Sequence, residues 1–99
     1  MIRHIVAWNY KDGFGEHENG ENAKNLKSKL EALKKILDGC VELTVHINTL
    51  SSSDKDVVLN TLFENEEALL AYQVHPEHKK IVAYVATVMQ NRICVDYFE

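Results

Sequence analysis

The stretch VELTVHINTLSSSDKDVVLNTLF, residues 41–63, decides the fold of this chain. Apolar and polar residues alternate along residues 41–49, and a second alternating run covers residues 57–63. Between the two runs lies SSSD, residues 51–54, which is typical of a turn. We therefore predict two neighbouring antiparallel strands, joined as a hairpin in the middle of the chain.

The sequence before the hairpin predicts a strand followed by an amphipathic helix. Residues 2–10 alternate, and one face of this predicted strand carries Ile2, His4, Val6, Trp8 and Tyr10. Three of the four glycines cluster with charged residues in residues 12–20, which predicts a loop. Apolar residues then recur at helical intervals, and Gly39 stands where a helix C-cap would be. These apolar residues are Ala23, Leu26, Leu30, Leu33 and Leu37.

The sequence after the hairpin predicts two helices and a last strand. Asn65 is a predicted N-cap, followed by two glutamates, for a helix that turns Leu69 and Tyr72 inward. This helix must end before Pro76, which suits the first position of a second helix. The apolar line of the second helix runs His78, Ile81, Val82, Val85, Val88 and Met89. Residues 92–98 alternate again and predict the closing strand.

The order strand, helix, strand, strand, helix, strand predicts an α+β fold of the ferredoxin-like βαββαβ type, with the second helix broken. The single domain, residues 1–99, would have a four-stranded antiparallel sheet in the order 4-1-3-2, with the helices on one face. Strands 2 and 4 would then be the two edges. Cys40 and Cys94 would lie too far apart to form a disulfide, so both are predicted to be reduced thiols.

Composition narrows the class of protein. Of the 99 residues, 45% are hydrophobic, which is ordinary for a globular chain. The 11 basic residues are outnumbered by 15 acidic ones, and a net charge of -4 disfavours a nucleic-acid partner. No apolar run approaches the roughly 20 residues of a membrane span, and the first residues lack the features of a secretion signal. We therefore expect a cytoplasmic protein with no membrane or nucleic-acid partner.

The sheet face without helices predicts a partner subunit. Its expected residues include the apolar side chains of Ile5, Ala7, Val58, Leu62 and Cys94. A domain of this size has only a small free energy of unfolding unless such a surface is covered. We therefore predict a symmetric homodimer in which the two sheets pack face to face as a barrel.

Three stretches of the chain resemble a known family. They are MIRHIV at residues 1–6, FENEEAL and AYQVHPEH within residues 63–78, and NRICVDY at residues 91–97. The most specific element is the Tyr-x-x-His-Pro-x-His run that begins at Tyr72. Together they are similar to the stress-responsive A/B barrel (Dabb) family. The resemblance implies a dimeric α/β barrel and does not imply one particular activity.

The candidate site is formed by His4, Tyr72 and His78. His4 and His78 each lie on an apolar face, so both imidazoles should enter the space between sheet and helices. An imidazole, with a pKa of about 6.5, can take a proton from an acidic C–H bond while a phenol stabilises the enolate. Candidate pocket residues around them are Trp8, His75, Ile81, Val82 and Val85.

The distant likeness to olivetolic acid cyclase, a plant member of the family, implies a role for each residue. In that enzyme the corresponding chemistry is the aldol cyclisation of a polyketide. By position, His78 would be the base, Tyr72 its orienting hydrogen-bond partner and His4 an auxiliary group of the pocket.

Several functions remain open from the sequence. The first is a homodimeric protein that binds a small apolar ligand or protects the cell under stress, without turnover. The alternative is a small enzyme that needs no cofactor, either a polyketide cyclase-like lyase or, less favoured, a monooxygenase. The histidines could also be scaffold groups, with His75 capping a turn. No metal is predicted, although His75 and His78 could share an ion with His4 or His46 as third ligand.

Overall fold

A computed structural model describes all 99 residues and contains the predicted elements in the predicted order. They are β1 (Ile2–Tyr10), α1 (Glu16–Ala32), a short 3-10 turn (Leu33–Ile36), β2 (Cys40–His46), β3 (Val57–Phe63), α2 (Glu66–Val74), α3 (Pro76–Val88) and β4 (Met89–Phe98). The strands form one antiparallel sheet in the order β2-β3-β1-β4. The α+β, ferredoxin-like fold is therefore confirmed, and Cys40 and Cys94 lie on the two opposite edges as free thiols.

The hydrophobic core lies between the sheet and the helices. Every second residue of β1 and β3 points to this side, because side chains alternate along a strand. The strands contribute Ile2, Val6, Trp8, Leu43, Val45, Val57, Leu59 and Phe63. The helices and the 3-10 turn cover them with Ala23, Leu26, Leu30, Leu33, Tyr72, Ile81 and Val88. None of these helices is both long and apolar enough to cross a membrane.

The first helix begins earlier than the glycine-rich sequence predicts. Residues 12–20 were expected to form a loop, but α1 already begins at Glu16 and includes Gly20. Acidic residues explain the start, since Glu16 and Glu18 lie in the first turn, where negative charge favours a helix N-terminus. The Glu18 carboxylate also accepts a hydrogen bond from the Gly15 N–H at 3.4 Å. Only residues 11–15 connect strand and helix.

The opposite face of the sheet carries no helix, and we call it the open face. Residues directly opposite each other in a ladder share a face. The open face therefore holds Ile5, Ala7, Val58, Leu62, Ile93, Val95 and Tyr97 as its apolar members. Among its polar members, Arg3 donates to Glu42 at 2.8 Å and to Glu99 at 2.7 Å.

The prediction that Cys94 lies on the open face is wrong. Cys94 pairs with Val6, whose side chain is in the core, so the thiol lies on the helix side of the sheet. The sequence pattern did not decide this point, because apolar residues occur at both odd and even positions of the last strand. The register against β1 decides it.

The last strand begins at Met89, three residues before its predicted start, and it contains a bulge. The register shifts between Ala7 and Asn9, so that Asn91 and Arg92 together lie opposite Trp8. Asn91 has a φ of 55°, in the left-handed region that non-glycine residues seldom occupy. A bulge of this kind changes which side chains face each side of a sheet.

Candidate functional site

A cavity of about 240 Å³ lies between the sheet and the helices. Its walls are largely apolar, and a few polar side chains converge on it, as is usual for small-molecule sites. The lining residues are His4, Val6, Trp8, Leu30, Leu59, Tyr72, Gln73, His78, Ile81, Val82, Val85 and Arg92. Neither Trp8 nor Met89 fills this space: Trp8 forms part of the wall, and Met89 is buried elsewhere in the core.

The break between α2 and α3 brings Tyr72 and His78 together. Asn65 caps α2 by accepting a hydrogen bond from the Ala68 N–H at 2.9 Å, as predicted. The helix ends at Val74 because the residue before a proline is disfavoured in helical geometry. Pro76 then opens α3 in a new direction. As a result, the ring centroids of Tyr72 and His78 are 4.2 Å apart.

His78 is a base with a defined free nitrogen. Its Nδ1 lies 3.2 Å from the Gln73 carbonyl oxygen, which can only accept, so Nδ1 carries the proton in the neutral ring. Nε2 is then left with a lone pair. Burial lowers the pKa of His78 below its ordinary value and the nearby Arg92 guanidinium acts in the same direction, whereas the hydrogen bond to Gln73 opposes them. The imidazole is therefore neutral at pH 7.

Tyr72 is a hydrogen-bond donor held among aromatic rings. It is buried, with 1% exposure, and packs on Phe63 and His78 with ring centroids 5.2 and 4.2 Å away. Burial strongly raises the pKa of the phenol, with a smaller contribution from Cys40. Tyr72 therefore keeps its proton throughout the physiological range.

His4 reaches the same cluster from the sheet. It is buried, and its ring meets that of Tyr72 edge-on at a centroid distance of 6.0 Å. Nδ1 of His4 forms a hydrogen bond with the Asp96 carboxylate of the neighbouring strand. Because a carboxylate accepts, His4 donates from Nδ1 and its Nε2 is directed away from Asp96. The carboxylate thus orients the imidazole.

His75 does not line the cavity, in contrast to the prediction that placed it in the pocket. It is the N-cap of α3, and its Nδ1 accepts a hydrogen bond from the Glu77 N–H at 3.1 Å. This bond satisfies one of the free N–H groups at the start of the helix. His75 and His78 thus use their Nδ1 atoms for separate backbone bonds.

Potential metal ligands occur in a different group, His4, Cys94 and Asp96, whose ligand atoms all lie within 4.8 Å of one another. Cys94 Sγ is 3.8 Å from His4 Nδ1 and 3.6 Å from a carboxylate oxygen of Asp96. Burial and the Asp96 charge raise the pKa of the Cys94 thiol, although Arg92 acts in the opposite sense. The protonated thiol and the nearby guanidinium both oppose the binding of a cation there.

Three residues of the site were not predicted from the sequence. Arg92 and Gln73 both line the cavity, and Asp96 holds His4. Gln73 follows Tyr72 directly, so a helical pattern alone places it on the outer side of α2. Arg92 and Asp96 belong to β4, whose alternation could have placed them on one face with Cys94. Only the register against His4 shows that this face is the one toward the helices.

A second, broader groove of about 560 Å³ runs between α2 and the end of β4. Its wall includes the acidic Glu66 and Glu67 and the exposed apolar residues Leu70 and Phe98. It contains no histidine. The smaller cavity is therefore the better candidate site.

Comparison with known proteins identifies the family. The model of the stress-responsive A/B barrel domain (Dabb) matches residues 2–99. A dimeric protein of unknown function with a ferredoxin-like fold, from Bacteroides fragilis NCTC 9343, is 26% identical. Its TM-score is 0.88, and the match covers 97% of this chain and 93% of that one. A search among curated proteins finds no match.

Two further structures have the same fold. A Dabb family protein from Mesorhizobium loti MAFF303099 is 22% identical, with a TM-score of 0.72 over 99% of this chain and 95% of that one. A hydroxynitrile lyase from Passiflora edulis is 13% identical, with a TM-score of 0.78, and the match covers 97% of this chain and 90% of that one. At these identities the likeness shows the fold alone. Because the family model spans all but the first residue, the chain belongs to the stress-responsive A/B barrel (Dabb) family, as a domain of unassigned activity.

Proposed function

We propose that the protein is a homodimer that binds a small, largely apolar molecule in the cavity lined by His4, Tyr72 and His78. The observation that carries this proposal is the cavity itself. It lies between the sheet and the helices and is partly open to solvent, and its walls combine aliphatic side chains with a few polar groups. A ligand with an apolar body and one polar function would match both parts of the wall.

The dimer is supported by the open face and by a relative. Ile93, Val95 and Tyr97 are between 44% and 47% exposed there, and they lie opposite Ala7, Ile5 and Arg3 of β1. The protein from Bacteroides fragilis, which has the same fold at 26% identity, is dimeric. A twofold partner would cover the apolar side chains, and the ion pairs that Arg3 forms with Glu42 and Glu99 already compensate the arginine charge near one end of the face.

Ligand binding can be tested with 1-octanol as an apolar probe. The single tryptophan of the chain, Trp8, lines the cavity and therefore reports on its occupation. We expect a saturable change in Trp8 fluorescence on titration with 1-octanol. Val85→Phe, which fills the cavity, should weaken the response at least about tenfold, since the lost space excludes the probe.

The matched control places the same side chain outside the cavity. Ala83 lies on the exposed side of α3, so Ala83→Phe should bind 1-octanol as the native protein does. Absence of a saturable response in the native protein, or native affinity in Val85→Phe, contradicts the proposed site.

The second candidate function is a lyase or cyclase that needs no cofactor, and the geometry of His78 favours it. Nε2 is unprotonated at pH 7 and can accept a proton from a C–H bond next to a carbonyl. The C–H electron pair then forms an enolate, whose oxygen accepts a hydrogen bond from Tyr72. The reaction is completed when His78 returns the proton to carbon, or when the enolate carbon attacks a second carbonyl, whose C=O π pair becomes an alkoxide that takes the proton from His78.

A further inference from the structure

Arg92 is the only permanently charged side chain that lines the cavity. It belongs to β4 and is exposed to solvent on one side, while it closes the cavity on the other. No carboxylate of the chain lies within salt-bridge distance of it, whereas Arg3, the other arginine, binds both Glu42 and Glu99. The charge of Arg92 is therefore available at the cavity.

The acidic residue on the same strand face as Arg92 is engaged elsewhere. Asp96 lies on the same face of β4, but its carboxylate accepts the hydrogen bond from His4. Cys94, between the two, is a thiol whose raised pKa keeps it neutral. Arg92 therefore forms no ion pair within its own chain.

The bulge in β4 lies directly before Arg92 and lets Met89 and Arg92 share one face of the strand. Met89 and Arg92 both lie on the helix side, although they are three positions apart and strict alternation would place them on opposite faces. The bulge at Asn91 adds the extra residue that reconciles the two positions. Left-handed backbone at a non-glycine residue is costly, and such strain is often kept where it positions a functional group.

The bulge is held by side chains of other elements. The Lys55 ammonium donates a 2.7 Å hydrogen bond to the Asn91 carbonyl oxygen. The Asn91 amide in turn donates to Asn9 Oδ1 at 3.4 Å, and the Gln90 amide donates to the Tyr10 carbonyl at 3.0 Å. These bonds fix the backbone from which Arg92 extends.

From this arrangement we infer that Arg92 selects ligands that carry a carboxylate next to an apolar body, with the carboxylate at the mouth of the cavity and the body inside. This inference rests on the proposed function, because it names the class of ligand for the same cavity. A guanidinium offers two parallel N–H donors that match the two oxygens of a carboxylate. Apart from Arg92, the lining consists of aliphatic and aromatic side chains together with His4, Gln73 and His78, which suits a ligand with an apolar body and a single negative charge.

The experiment compares two probes of the same chain length, octanoate and 1-octanol, by Trp8 fluorescence. Native protein should bind octanoate at least about tenfold more tightly than 1-octanol, which corresponds to one charge-assisted interaction. Arg92→Gln should remove this preference, so that octanoate binds no more tightly than 1-octanol. Arg92→Lys should retain part of it, because the charge remains without the planar pair of donors.

The controls separate this inference from the proposed function. Lys79→Gln removes a charge from α3 outside the cavity and should bind both probes as the native protein does. If the native protein shows no preference for octanoate over 1-octanol, and Arg92→Gln shows none either, the carboxylate inference is overturned. The cavity then remains a ligand site. If neither probe binds the native protein, both the proposed function and the inference that rests on it are wrong.

Discussion

At the scale of single residues, the site depends on which nitrogen of each histidine carries a proton. The Gln73 carbonyl accepts a hydrogen bond from His78 Nδ1, so Nε2 of the neutral His78 ring is left free, and the Asp96 carboxylate accepts one from His4 Nδ1, which orients the His4 ring. Burial keeps His78 neutral and Tyr72 protonated. A base and an acid are thereby set side by side at neutral pH.

We predict that the protein catalyses exchange of the benzylic protons of phenylacetone in deuterated water. Only neutral His78 can accept the proton, and its pKa is lowered below the ordinary 6.5. The exchange rate should therefore be constant above pH 6.5 and fall as the pH decreases through the lowered pKa. Proton NMR measures the loss of signal.

The matched variants for this prediction are His78→Gln and His17→Gln. The first removes the base and should reduce exchange to the buffer rate, while the second changes an exposed histidine of α1 and should have no effect. An exchange rate unaffected by His78→Gln would exclude His78 as the base and leave a binding role for the cavity.

At the scale of secondary-structure elements, the connections place the strands and helices with little freedom. Gly39 lies between the 3-10 turn and β2, with a φ of 77°. A Cβ atom there would be 2.7 Å from the Cβ of Ala68, at the start of α2. The chain can approach α2 this closely only because residue 39 is glycine. The Glu64 N–H bond to the Gly39 carbonyl, at 2.9 Å, holds the same contact.

We predict opposite effects on stability for alanine at two glycines. Gly39→Ala should lower the free energy of unfolding by about 1–3 kcal/mol, because the residue is strained and its Cβ collides with Ala68. Gly20→Ala, inside α1 with open space around it, should raise it by about 0.5–1 kcal/mol. Urea denaturation at one fixed protein concentration measures both. Equal effects of the two substitutions would show that the close approach at Gly39 is not present.

At the scale of the whole molecule, the sheet has two apolar faces and the helices cover one of them. The open face is only partly protected by its own chain, since Val95 is 47% exposed beside Ile5 and Ala7. Burial of such side chains contributes about 25 cal/mol for each Å² removed from water. A twofold partner on this face would therefore be favourable, whereas the cavity on the helix side would remain accessible through its own mouth.

We predict that Val95→Asp converts the protein from a dimer to a monomer. An unpaired carboxylate at the centre of a sheet-to-sheet interface would be costly to desolvate. Sedimentation equilibrium at micromolar concentration should give twice the chain mass of 11.3 kDa for native protein and the single mass for the variant. Leu50→Asp, at a loop residue that is 79% exposed, should remain dimeric. A native protein that sediments as one chain would refute the proposed homodimer.

The sequence by itself determined the elements, their order and the inward faces of β1, α2 and α3, because these depend on local periodicity and on residues such as Asn65 and Pro76. It also indicated that His4, Tyr72 and His78 share one space, although their role there stays a prediction. Only the tertiary structure decided the register and bulge of β4, and with them the side of the sheet on which Cys94, Asp96 and Arg92 lie. The physical reason is that period-two alternation leaves two faces equivalent until pairing with a neighbouring strand distinguishes them.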